Sequence, residues 1–119
     1  MAKKKSVFAN NLKTFKSSFT GEEQEYRINN GLWVFMRSDF DLTQIKWSEE
    51  YDDNQAYYGS IFATCLLKSN GYEVSFDEVI QNTDVEDIAT LIAEYIQSLY
   101  KDLDAPKQED DGEDKESPS

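Results

Sequence analysis

The feature that most constrains the fold is an apolar stripe between residues 85 and 103. Apolar side chains recur there at steps of three and four residues: Val85, Ile88, Leu91, Ile92, Tyr95, Ile96, Leu99 and Leu103. This period predicts a long amphipathic helix, in which we expect Leu91, Ile92 and Ile96 to be core positions. Residues 83–86 (TDVE) match a capping box at its start, and Pro106 limits its end.

Three further helices are predicted upstream of this one. They cover Asp41 to Tyr51, with Asp41 as cap, residues 54–69, and a short stretch from Ser75 to about Gln81. The helix over 54–69 carries small residues that would let a neighbouring helix approach closely: Ala56, Gly59, Ser60 and Ala63. Asn70-Gly71 predicts a left-handed end to this helix.

The sequence before residue 41 has a different pattern. Residues 26–28 and 32–35 are β-prone and flank Asn29-Asn30-Gly31, which predicts a β-hairpin. Residues 6–19 fit two structures. Phe8, Leu12, Phe15 and Phe19 have helical spacing, whereas Phe15, Ser17 and Phe19 alternate as in a strand. Both alternatives stay open at this point.

These elements predict a mainly α fold with a small N-terminal β-hairpin (α+β), followed by a tail. Residues 1–23 form a basic and aromatic segment that is either helix or strand, and residues 24–103 form a compact domain of a hairpin and four helices. Residues 104–119 contain one apolar side chain, Ala105, together with two prolines and a glycine. We therefore predict a disordered acidic C-terminal tail.

The charge and the residue types exclude several classes of function. With 24 acidic and 12 basic residues the net charge is −12, which disfavours binding to nucleic acid. There is no histidine, so histidine-dependent catalysis and the usual zinc sites are excluded. Asp41 and Asp52-Asp53 fit a helix cap and a loop better than an acid/base pair, and Cys65 fits a buried thiol. We expect no enzyme activity, no cofactor and no metal.

The cellular location is also constrained. No signal peptide and no apolar run of membrane-spanning length is present, so we expect a cytoplasmic protein without a membrane partner. Binding to another protein is the remaining class of function. The candidate partner-binding residues form two groups: Phe8, Leu12, Phe15 and Phe19 in the N-terminal segment, and Tyr95 and Tyr100 in the last helix. The basic N-terminal segment could dock on a partner or a membrane, or pack on its own domain.

The order of these segments resembles that of tail assembly chaperones of long-tailed bacteriophages, especially those of Gram-positive hosts. The resemblance covers about residues 24–103. It depends on a hairpin segment (EYRINNGLWVFM), an acidic helix (DLTQIKWSEEY), an alanine-rich helix (AYYGSIFATCLL), a short capped helix (SFDEVIQ) and a long last helix (VEDIATLIAEYIQSLY). The three N-terminal lysines are not part of the family pattern.

The resemblance implies a non-enzymatic protein of the host cytoplasm that is absent from the mature virion. Such a chaperone binds the tape measure protein, keeps it soluble and recruits the major tail tube protein. A longer version made by ribosomal frameshifting is common in the family, and this chain is similar to the shorter product.

The alternative is an acidic inhibitor or nucleic-acid mimic that blocks a host nuclease or DNA-binding protein.

Overall fold

The computed structural model describes residues 12–104, with side chains for residues 12–100. Phe8 and the predicted tail from residue 105 onward lie outside the described residues. Within them the chain forms two strands and five helices: β1 (Thr14–Ser17), β2 (Gln24–Arg27), α1 (Gly31–Phe40), α2 (Gln44–Tyr51), α3 (Gln55–Ser69), α4 (Phe76–Asn82) and α5 (Val85–Asp104). The predicted fold class, mainly α with a small N-terminal hairpin, is confirmed.

Helix α3 is the centre of the domain, and the other four helices pack around it. Every residue from Gly59 to Leu67 is buried. At Gly59, an added Cβ would overlap the Cγ2 atom of the buried Ile88 side chain of α5. The prediction that small residues of α3 allow close helix approach is therefore confirmed at this position.

An aromatic cluster connects α3 with its neighbours. The Phe62 ring lies 5.3 Å from Trp47 of α2 and 4.8 Å from Tyr95 of α5, measured between ring centroids. The indole nitrogen of Trp47 donates a hydrogen bond to the Tyr58 carbonyl at 2.7 Å. A buried indole N–H needs such a partner, because leaving it unpaired would cost the desolvation of that group.

The hairpin exists, but of its two predicted strands only residues 26–27 lie in a strand, β2. Strand β1 pairs antiparallel with β2, and Phe15 lies opposite Tyr26. Residues 32–35, expected to supply the second strand, lie in α1 (Gly31–Phe40) instead. The turn between the strands contains Gly21 at φ +101°, a conformation that favours glycine. The strand alternative for residues 6–19 is thus the correct one for Thr14–Ser17.

Asn29-Asn30-Gly31 is a helix start and not a hairpin turn. A type I′ turn needs positive φ at both central residues, but Asn30 has φ −64° and ψ −21°. The Asn29 side chain accepts a hydrogen bond from the Gly31 amide at 2.8 Å and donates to the Ser69 carbonyl at 3.4 Å. This contact with the end of α3 fixes the start of α1.

The boundary between α1 and α2 also differs from the prediction. Asp41 adopts left-handed φ/ψ angles at the C-terminal end of α1, and so does not cap the following helix. Thr43 caps α2, accepting a hydrogen bond from the Lys46 amide at 3.1 Å. Helix α2 begins at Gln44, and its Ile45 side chain is 71% exposed.

The predicted starts of the last three helices are close to the observed ones. Asn54 and Ser75 cap α3 and α4 through their side chains. At α5 the capping box is one residue later than predicted. The Asp84 side chain accepts a hydrogen bond from the Asp87 amide at 2.9 Å, and the Asp87 side chain accepts one from the Asp84 amide at 3.0 Å. The predicted left-handed end of α3 is confirmed by Gly71, at φ +93°.

Leu91 and Ile92 are buried at 1% and 3% exposure, as predicted for the core face of α5. Ile96 is 40% exposed, so its assignment to the core was wrong. Ile96 lies four residues after Ile92, and four residues of a helix turn by about 40° more than one full turn. The Ile96 side chain therefore lies at the edge of the apolar stripe. The core contact at this level is made by Tyr95.

Candidate protein-binding surfaces

Two of the predicted partner-binding residues are part of the core. Phe15 is 8% exposed and Tyr95 is 6% exposed, and their ring centroids lie 6.3 Å apart in an edge-on arrangement. Phe19 is half-buried and packs against the same core. Burial raises the pKa of the Tyr95 hydroxyl. These side chains attach the hairpin to α5 and do not form the exposed patch that we predicted.

The other described candidates remain exposed, near the C-terminal end of α5. Leu12 is 49% exposed and Tyr100 is 55% exposed. The Lys13 ammonium donates to the Leu99 carbonyl at 3.2 Å, which places the start of β1 beside the last turns of α5. Ile96 lies one helical turn before Tyr100 and is also exposed. We call Leu12, Ile96 and Tyr100 the end patch.

A second apolar surface lies at the opposite end of α5 and was not predicted. It is a groove of about 300 Å³ formed by the first turns of α3 and α5 and by one side of α4. Its lining is mainly apolar, and three of its large side chains are exposed: Tyr57 (45%), Ile80 (43%) and Val85 (50%). We call this surface the α3–α4–α5 groove.

Local structure explains why these side chains lie together. Phe76 and Ile80 are four residues apart on α4, so both lie on one side of this helix, while Val79 faces the core. The Phe76 ring contacts the Tyr57 ring edge-on at 5.8 Å. Two capped helix starts bring Tyr57 and Val85 to the same end of the domain, so the groove has a defined shape.

The one charged side chain that lines this groove is a carboxylate, that of Asp84. Residues 47–100 contain eleven acidic residues and one base, Lys68. Lys68 belongs to the last turn of α3, whereas the groove contains the first turn, and its ammonium lies 2.5 Å from an Asp39 carboxylate oxygen. This ion pair holds the pKa of the Asp39 carboxyl below its usual value. The groove is therefore an apolar surface in an acidic environment.

A third surface, on α1, is a shallow depression of about 740 Å³. It is lined by side chains at helical spacing: Asn30, Trp33, Val34, Arg37, Ser38 and Asp41. Val34 is 62% exposed, but an Arg37–Asp41 ion pair crosses this surface. This depression therefore carries both charge signs, whereas the α3–α4–α5 groove is lined by one charged side chain, Asp84.

Within residues 12–104, no group of three or more histidine, cysteine or carboxylate side chains is placed to hold a metal ion. No helix among these residues is both long and apolar enough to cross a membrane. Cys65 is buried, as predicted, and burial raises the pKa of its thiol to about 12, so it stays protonated near neutral pH.

The α3–α4–α5 groove was not predicted, because its exposed side chains resemble core residues in the sequence. Val85 was assigned to the core stripe of α5, and Tyr57 and Ile80 had no pattern that separated them from core residues. The one sequence signal for a binding surface was that residues 47–100, which include Tyr57, Ile80 and Val85, contain a single basic residue. Comparisons with protein-family models, with curated proteins and with solved structures find no match.

Proposed function

We propose that this protein is a non-enzymatic tail assembly chaperone, which binds and solubilises a phage tape measure protein and recruits tail tube subunits. It would act in the host cytoplasm and be absent from the mature virion. The observation that supports this proposal most is the combination of exposed apolar surfaces with a net charge of −12. A chaperone of this kind must cover apolar helices reversibly while remaining too highly charged to aggregate.

The end patch is the surface that we assign to the tape measure protein. Ile96 and Tyr100 project from one side of α5, and Leu12 extends the patch from the start of β1. Contact with such a patch should be mainly hydrophobic, so it should depend only weakly on salt. Charged contacts would be screened, since the Debye length falls to about 3 Å at 1 M salt.

The experiment is co-expression with the tape measure protein of the same phage, followed by pull-down at low salt and at about 1 M salt. We expect the tape measure protein to stay in solution and to co-purify at both salt concentrations. Ile96→Asp should weaken the co-purification. Ile45→Asp is the matched control, because Ile45 is an equally apolar and 71% exposed residue on α2. Absence of both rescue and co-purification would rule out the chaperone function.

The alternative function, an acidic inhibitor or nucleic-acid mimic, has one observation in its favour. Eleven acids and a single base in residues 47–100 give the folded domain itself an acidic surface, besides the acidic C-terminal end of the sequence. Binding of a mimic to a basic target should weaken steeply with salt. Pull-down of a nuclease at low salt only, together with inhibition of its activity, would favour this alternative over the chaperone.

A further inference from the structure

We propose that the α3–α4–α5 groove binds an amphipathic helix of another protein, one whose apolar stripe is flanked by lysine or arginine residues. The groove is separate from the end patch, since the two surfaces lie at opposite ends of α5. The proposal therefore does not depend on the tape measure protein being a partner.

The shape of the groove favours a protein segment over a small molecule. Small-molecule sites commonly have volumes of about 300–1,000 Å³ and enclose most of the ligand. This groove, at about 300 Å³, is at the lower limit, and Tyr57, Ile80 and Val85 are each 43–50% exposed. A small ligand would remain largely in water there. A longer apolar segment could cover all three side chains at once.

The secondary structure of the groove favours a helix as this segment. All of its walls come from α3, α4 and α5 and the connection between α4 and α5, and none comes from β1 or β2. An added strand needs a free sheet edge to pair with, which this groove does not offer. An amphipathic helix needs only an apolar groove for side chains at positions i, i+3, i+4 and i+7.

The charge around the groove favours basic flanks on the partner. Asp84 lines the groove, Asp77 is exposed on the first turn of α4, and Glu86 is exposed on the first turn of α5. No lysine or arginine occurs between Lys68 and Lys101 in the sequence. Lysine or arginine beside the apolar stripe would raise the association rate and reject acidic competitors, including a second acidic domain of the same kind.

The protein's own terminal segments fit the groove less well. Lys13 contacts Leu99, and Phe15 contacts Tyr95, so β1 runs antiparallel to α5 and Leu12 lies at the far end of α5 from the groove. Residues 1–11 would have to reverse direction and extend back by about 21 Å, the helical rise from Leu99 to Val85. Eleven extended residues span at most about 36 Å, so fewer than half of them would remain to lie in the groove. The acidic C-terminal residues start even farther away and carry the wrong charge sign. The geometry thus points to an external helix.

The test uses the full chain and a fluorescent synthetic peptide of about 18 residues, five helical turns, with leucines at helical spacing and lysines beside them. Two comparison peptides carry glutamate in place of lysine, or the same residues in scrambled order. Fluorescence anisotropy measures the dissociation constants. We expect the lysine peptide to bind at least about tenfold more tightly than either comparison peptide. The proposal would be overturned if either the glutamate peptide or the scrambled peptide bound as tightly as the lysine peptide.

Substitutions in the groove locate the binding site. Ile80→Asp should weaken binding of the lysine peptide by about tenfold, whereas Ile45→Asp, on α2, should have no effect. Asp77→Lys should weaken binding of the lysine peptide severalfold. Glu23→Lys, in the hairpin turn, is the control: it makes the same change of net charge away from the groove. All four positions are exposed, so circular dichroism should show an unchanged fold. Binding that is unaffected by Ile80→Asp would place the peptide elsewhere and overturn the proposal.

Two further outcomes would identify a different occupant. If sedimentation shows a dimer that Ile80→Asp converts to a monomer, a second copy of the chain covers the groove. If replacing Lys3, Lys4 and Lys5 by serine in the full chain makes the peptide bind about tenfold more tightly, the N-terminal segment covers it. Either result would overturn the assignment to an external helix. A monomer, with peptide affinity unchanged by the serine substitutions, supports it.

Discussion

The two ends of helix α5 differ in how their apolar side chains are covered. Toward the C-terminal end, the hairpin lies over the helix, so Tyr95 is 6% exposed and contacts Phe15. At the N-terminal end, Val85 belongs to the same apolar stripe but is 50% exposed and lines a groove. We call these the covered end and the open end.

The difference shows that one stripe can serve both folding and binding. Helix α5 has a longer apolar face than α3 alone can cover. The two-stranded hairpin covers only part of the apolar face that α3 leaves exposed. The Gly59–Ile88 contact holds α5 against α3 close to the open end, so that end is well packed below its exposed surface. The following predictions test whether the buried and the exposed side chains of the stripe differ in their contribution to stability in this way.

The largest effect is expected at the covered end. Phe15→Ala should lower the free energy of unfolding by about 3–5 kcal/mol, because it leaves a cavity against Tyr26 and Tyr95. Val85→Ala at the open end is the matched comparison and should cost less than about 1 kcal/mol. Urea unfolding measures both values. Equal losses would show that the two ends do not differ in their contribution to stability.

The next effect separates two neighbouring positions of α5. Ile92 is 3% exposed and Ile96 is 40% exposed, although the residues are identical in type. Ile92→Ala should therefore cost about 2–5 kcal/mol, and Ile96→Ala should cost clearly less. Similar urea midpoints for the two variants would mean that the helix is rotated relative to the described orientation.

A smaller effect is expected at the close approach of α3 and α5. Gly59→Ala should destabilise the protein by about 1–3 kcal/mol through overpacking against Ile88, although alanine favours a helix over glycine by about 1 kcal/mol. The double variant with Ile88→Ala should lose less than the sum of the two single losses, because the smaller side chain makes room for the new methyl group. A stabilised Gly59→Ala variant would show that the helices are not in close contact.

The smallest effect is expected from moderately alkaline pH. Burial raises the pKa of Cys65 from 9.0 to about 12, and the pKa of Tyr95 is raised for the same reason. The unfolded chain therefore loses the thiol proton before the folded chain does. The stabilisation is complete below pH 9.0 and is lost as the pH rises toward about 12.

This pH dependence can be measured by urea unfolding at a series of pH values. Cys65→Ala should show a weaker decline in unfolding free energy between about pH 8.5 and 10, since the variant has no thiol that loses its proton at a lower pH in the unfolded than in the folded chain. Identical pH profiles for the variant and the original chain would contradict a buried, protonated thiol in α3.

The candidate site was predictable only in part. The end patch contains Leu12 and Tyr100, which were predicted as partner-binding residues and are exposed. Phe15 and Tyr95 belonged to the same predicted groups and are buried. A large apolar side chain has the same sequence signal in a core as on a binding surface. Only the position of the hairpin over α5 separates the two cases.

The sequence by itself determined the elements whose signals are local. The helix starts near residues 54 and 75, the helical period of α5 and the small residues of α3 each depend on signals within a few residues or along one helix, so they could be recognised without tertiary contacts. The mainly α fold class followed from them. The buried thiol of Cys65 followed as well, because its neighbours in the sequence are apolar.

Only the tertiary structure decided between helix and strand for residues 31–40 and between core and surface for α5. A short apolar run such as residues 32–36 suits a helix or a strand, and contacts with the end of α3 through Asn29 select the helix. Likewise, the α3–α4–α5 groove exists because three separate segments meet at one end of α5. Neither result depends on a local preference, since the free energy that selects it comes from residues distant in the sequence.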